Sequence, residues 1–175
     1  MIRSFLLCSI LLLDVFCGKI KAGNEENEFL TQQQMLANVV ELKDAQEGFS
    51  GQTGEVLTVQ PTGAWEIARF YNKEKERPHR RGHLTQSQLV ALAEIFKENE
   101  FSRLPTNAGR EFLKINRHLV TVSFGSKRAT LILSGREDPV GYMTSQKFSA
   151  HHDDAGWKIA LITQSLRRIV ESSGD

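Results

Sequence analysis

The stretch His118-Leu119-Val120-Thr121-Val122-Ser123-Phe124-Gly125-Ser126-Lys127-Arg128-Ala129-Thr130-Leu131-Ile132-Leu133 decides the fold. Val120, Val122 and Phe124 alternate toward one side, Gly125-Ser126 turns the chain, and Ala129, Leu131 and Leu133 resume the alternation. That period of two predicts a β-hairpin with one buried face. Helical patterns stand on either side of it. Upstream, Thr85-Gln86-Ser87-Gln88 has the spacing of a capping box, and Leu89, Leu92, Ala93 and Phe96 recur at three and four residues. A helix to about Asn99 follows, closing on Phe101, Leu104 and Pro105. Downstream, Asp153 or Asp154 caps a final helix whose stripe is Ile159, Ile162, Leu166, Ile169 and Val170, while residues 135–150 read as irregular.

Further upstream, residues 56–60 and 65–71 flank Pro61-Thr62-Gly63, where proline sets a negative φ and glycine supplies a positive one, so a second hairpin is expected. Val39-Val40 centres a first strand over residues 38–43, and Gly48, Gly51 and Gly54 then punctuate a loop around Phe49. Residues 73–83 hold five Lys or Arg, two Glu and two His around Pro78, which predicts a long exposed connector. The order strand, hairpin, helix, hairpin, helix predicts an α+β fold. Its antiparallel sheet has about five strands and carries two helices on one face.

The chain has 175 residues, of which 40% are hydrophobic and 25% charged, as suits one globular domain. It opens with Met1-Ile2-Arg3 and an apolar run from Phe5 to Leu13 that Asp14 closes. The run falls short of the roughly 18 residues a membrane span needs, and reads as a signal peptide. The expected organisation is a signal peptide over residues 1–22, a flexible polar arm over 23–37 and a single α+β domain over 38–172. Cleavage is expected after Ala22, with Cys17 the other site. Asp14-Val15-Phe16 lacks the residues that precede a lipid-attachment cysteine, so the exported product is expected free in the periplasm or medium.

Losing residues 1–22 takes Lys+Arg from 22 to 19 and Asp+Glu from 21 to 20, a net charge of about −1. Such a chain has no general field to hold nucleic acid, and no transmembrane segment is expected after signal removal. Both cysteines, Cys8 and Cys17, leave with the signal, so neither a disulfide nor a thiol nucleophile is expected.

No cofactor or bound metal is expected. His79 and His83 have a metal-compatible spacing only on a helix, but Pro78 and Gly82 interrupt one, and Arg80 and Arg81 repel a cation. His151-His152-Asp153-Asp154 reads first as a solvated loop ending in a helix cap, with a small metal-dependent hydrolase as the minor alternative. No Gly-x-Ser-x-Gly elbow is present, so the chain is read as non-catalytic.

Val39-Val40-Glu41-Leu42, the loop Glu47-Gly48-Phe49-Ser50-Gly51, the helix start at Leu84-Thr85, the segment Phe101 to Pro105 and the late hairpin from Val120 to Leu133 together resemble emfourin-like proteins, small bacterial inhibitors of thermolysin-like metalloproteinases. The chain also resembles secreted bacterial proteins with a Gly-Gln-Thr-Gly segment. The first resemblance spans about residues 38–170 and implies a rigid sheet that presents loops to a protease cleft. The expected partner is therefore a protein such as a protease, met through Phe49, Tyr71, Arg80 and Arg81. Phe49 is also readable as a plug at the edge of the core, the plainer role for a single phenylalanine, and the chain as an envelope structural module.

Overall fold

A computed structural model describes residues 27–110, 116–147 and 153–173. The predicted signal peptide and the His151-His152 pair lie outside the described residues. In chain order the strands are β1 (Val40–Gly48), β2 (Gly51–Val59), β3 (Ala64–Tyr71), β4 (Glu74–Lys75), β5 (Arg80–His83), β6 (Asn107–Gly109), β7 (Arg117–Phe124) and β8 (Lys127–Ser134). The helices are α1 (Gln86–Glu98), α2 (Pro139–Gln146) and α3 (Asp154–Glu171).

One mixed sheet runs β4-β3-β2-β1-β7-β8-β6, with β5 also on β3. Both predicted hairpins are present, β2–β3 and β7–β8, and β1 joins them by pairing β2 on one side and β7 on the other. The β2–β3 turn works as expected: Gly63 has φ +97° and its amide donates to the Gln60 carbonyl at 2.9 Å.

The expected count of about five antiparallel strands is too low, and the sheet is not purely antiparallel. The three strands missed are short edge strands. β4 and β5 arise inside the basic stretch 73–83, which therefore is not a free connector: its backbone pairs with β3 while its charged side chains stay in water. An edge strand tolerates such charge because only one of its sides is paired. β6 runs parallel to β8. The glycine-rich loop is also tighter than expected, since β1 continues to Gly48 and β2 begins at Gly51.

Helix α1 carries the predicted capping box: the Gln88 amide donates to the Thr85 hydroxyl at 3.3 Å, and the Thr85 amide to the Gln88 side chain at 2.8 Å. The predicted stripes of α1 and α3 are buried apart from Ile169, which is partly buried. They meet Val40, Leu42, Leu57, Val59, Val120 and Val122 in the main core. Strand alternation puts Ala45, Val56, Ala68 and Phe70 on the opposite face, where they form a smaller cluster with Leu119. The stretch expected to be irregular contains helix α2, which is only eight residues long and buries Pro139, Tyr142, Met143 and Gln146, a stripe whose first and last members are not ordinary core residues. Asp138 caps it, Pro139 opens it, and buried Tyr142 and Met143 fasten it against the core.

The polar arm also needs correction from Phe29 onward. Phe29 is 4% and Leu36 0% exposed, and the Leu36 amide donates to the Pro61 carbonyl at 3.2 Å. Phe29 stands 5.1 Å from Phe124 and 5.5 Å from Phe96, centroid to centroid, and 6.5 Å from Phe101. Phe29 and Leu36 form no periodic pattern with the other apolar residues of this stretch, yet both are buried in the main core. Among the described residues no helix is long and apolar enough to cross a membrane.

Candidate functional site

Phe49 sits at the tip of the β1–β2 hairpin with its side chain fully exposed, which rules out the core-plug reading. Its loop is held from the next turn. The Tyr71 hydroxyl donates to the Ser50 carbonyl at 2.8 Å, the Asn72 amide nitrogen Nδ2 reaches the same carbonyl at 3.4 Å, and the Gln52 backbone N–H donates to Asn72 Oδ1 at 3.0 Å. Gly51 closes the turn at φ +113°, and a β-carbon there would collide with the Asn72 side chain. Single exposed apolar residues are ordinary on protein surfaces. What sets Phe49 apart is the clamp, because three hydrogen bonds hold the backbone just after it, at the Ser50 carbonyl and the Gln52 N–H.

Tyr71 is half-exposed beside this tip, so two of the four predicted contact residues come together. Arg80 and Arg81 do not join them. They lie on β5 opposite Ile67 and Glu66, and alternation sends them to different faces of the sheet. Arg80 stands over the Trp65 ring, 5.8 Å from its centroid. His79 lies 3.5 Å from Glu55, and His83 is opposite Ala64.

Asp153 is a cap, as the sequence suggested, and also a pin. Its carboxylate accepts from the backbone N–H groups of Gly156 (2.9 Å) and Gly109 (2.7 Å) and from the Tyr142 hydroxyl (2.6 Å). Burial, with the Asp153 carboxylate beside it, raises the Tyr142 hydroxyl well above the ordinary tyrosine range. Asp154 pairs with Lys158 at 3.0 Å. Among the described residues no group of three or more His, Cys, Asp or Glu is placed to hold a metal ion.

Sequence reasoning missed a charged cluster on the helix side of the sheet. His118 is 6% exposed, with Nε2 2.6 Å from Asp44 Oδ1 and Nδ1 2.7 Å from the Glu137 carbonyl oxygen. Arg167 of α3 holds the other Asp44 oxygen. A carboxylate and a carbonyl can only accept, so the two contacts are satisfied together when both ring nitrogens carry hydrogen, as in the imidazolium form. Burial pulls the His118 pKa down, but the hydrogen bonds to Asp44 and Glu137 outweigh it and raise the pKa above 6.5. Burial likewise pushes Asp44 up, and His118 and Arg167 together hold it below 3.8. Arg110 fastens the Glu137 side chain with two bonds of 2.7 Å.

No protein-family model matches the chain, and no curated protein matches it by sequence. Within the structure the functional reading therefore rests on the clamped tip. A signal for the cluster did exist. Asp44 and His118 occupy inward positions of β1 and β7, in line with Val40 and Leu42 and with Val120 and Val122, and a charge in a buried stripe implies a partner.

Proposed function

We propose that this chain is an exported, non-catalytic protein-binding domain that seats Phe49 in a pocket of its partner, and that protease inhibition is its specific form. The observation that carries the reading is a fully exposed phenylalanine on a turn locked by Tyr71 and Asn72. Binding costs the ordering of flexible loops, and a preformed loop avoids much of that cost. Aromatic anchors entering a partner's pocket carry a large share of interface energy. The resemblance to emfourin-like proteins makes a thermolysin-like metalloproteinase the partner class of this reading.

The test is a titration of a thiol-independent, thermolysin-like metalloproteinase with the secreted chain. Stoichiometric inhibition is expected, and Phe49→Ala should weaken it about 100-fold, the loss of a strong anchor. The melting temperature should stay within about a degree, because the ring touches no core. Asn72→Ala, which frees the loop but keeps the ring, should cost about tenfold. Full protease activity at saturating protein, or equal inhibition by Phe49→Ala, would overturn the proposal.

A further inference from the structure

A cleft of about 420 Å³ is lined by residues of β1, β2, β3 and β5 and of the C-terminal part of α3. Leu42, Leu57 and Ile67 form its floor, and Val170 forms an apolar wall. The charges around it are sorted. Asp44 is already engaged by His118 and Arg167, and Glu55 has Arg69 at 3.8 Å and His79 at 3.5 Å. One edge of the Arg167 guanidinium is spent on Asp44, and Arg80 lies over Trp65 with no carboxylate among the described residues as its partner. Both keep N–H donors, and both line the cleft.

Glu171, at the end of α3, lines the same cleft and has no ion-pair partner among the described residues. The negative end of the helix dipole lies beside it, so this corner favours a cation. Two guanidiniums with spare donors, an unpaired carboxylate at a helix C-terminus and an apolar floor between them match one kind of molecule. We infer that the cleft binds a small zwitterion with an apolar side chain, a free apolar α-amino acid. Its carboxylate meets Arg80 and Arg167, its ammonium meets Glu171, and its side chain lies on Leu42, Leu57 and Ile67. The cleft is separate from the Phe49 tip, so this inference stands independently of the protease reading.

The probe is L-phenylalanine added to the full secreted chain, with methyl NMR signals of Leu42, Leu57, Ile67 and Val170 as the readout. Saturable shifts confined to those methyls are expected. 3-Phenylpropionate, which lacks the ammonium, and phenethylamine, which lacks the carboxylate, should each bind about tenfold more weakly. Arg80→Gln and Glu171→Gln replace exposed side chains, so the fold should be retained, and each should weaken phenylalanine binding about fivefold or more. Three results would each overturn the inference: no saturable shift up to about 10 mM phenylalanine, equal binding of either single-charge analogue, or unchanged affinity in both variants.

Discussion

Phe29→Ala should lower the free energy of unfolding by about 3–5 kcal/mol, the usual cost of truncating a buried phenylalanine. For a domain of this size that is a fall in melting temperature of roughly 10 °C. The ring is 4% exposed and closes an aromatic cluster with Phe96, Phe101 and Phe124, in which Phe96 and Phe101 meet edge to face at 4.8 Å. Neighbours on a strand, a helix and a short 3-10 turn cannot all move inward to fill the gap, so most of the cavity should persist. Urea unfolding of the two chains provides the measurement. A loss under about 1 kcal/mol would mean that residues 27–37 do not belong to the core.

Asp44→Ala should cost about 2–4 kcal/mol near pH 6, because it strands the His118 imidazolium without its counter-charge and releases Arg167. The figure sits below that of a fully buried pair because the Asp44 side chain keeps a quarter of its exposure. The same variant should change the pH dependence. A raised His118 pKa contributes stability that is complete below 6.5 and is lost as pH rises through the folded value. A lowered Asp44 pKa contributes stability that is present above 3.8 and is lost as pH falls through its folded value. The wild-type melting temperature should therefore decline on the alkaline side of 6.5, and His118→Asn or Asp44→Ala should flatten that decline. Proton NMR should show hydrogen on both His118 ring nitrogens at pH 6. An alkaline decline of equal size in all three chains would show that His118 has no part in it.

Helices α1 and α3 and the β2–β3 and β7–β8 hairpins were the most legible part of the chain. Thr85, Gln88, Gly63 and the alternation from Val120 to Leu133 act over a few residues, and each does in the structure what its local chemistry requires. Edge strands were hidden because β4, β5 and β6 have two to four residues, too few to show a period. Phe29 and Leu36 were hidden for the opposite reason: a polar setting masked two residues whose burial depends on the shape of the cavity that receives them. At the candidate tip, the sequence offered Phe49 and Tyr71 as separate residues. Their meeting depends on β2 pairing with both β1 and β3, which brings the Gly48–Gly51 turn beside the end of β3.

By itself the sequence determined the β2–β3 and β7–β8 hairpins, the helices α1 and α3 and the faces that these elements bury, because turns, caps and hydrophobic periods are set by neighbours along the chain. Only the tertiary structure decided that Phe49 stands clear of the core, that Arg80 and Arg81 part to opposite faces, and that Asp44 meets His118 and Arg167 across separations of 74 and 123 residues. The physical reason is that exposure and charge pairing depend on distance through space. That distance is fixed by strand order and helix placement, which no local pattern encodes.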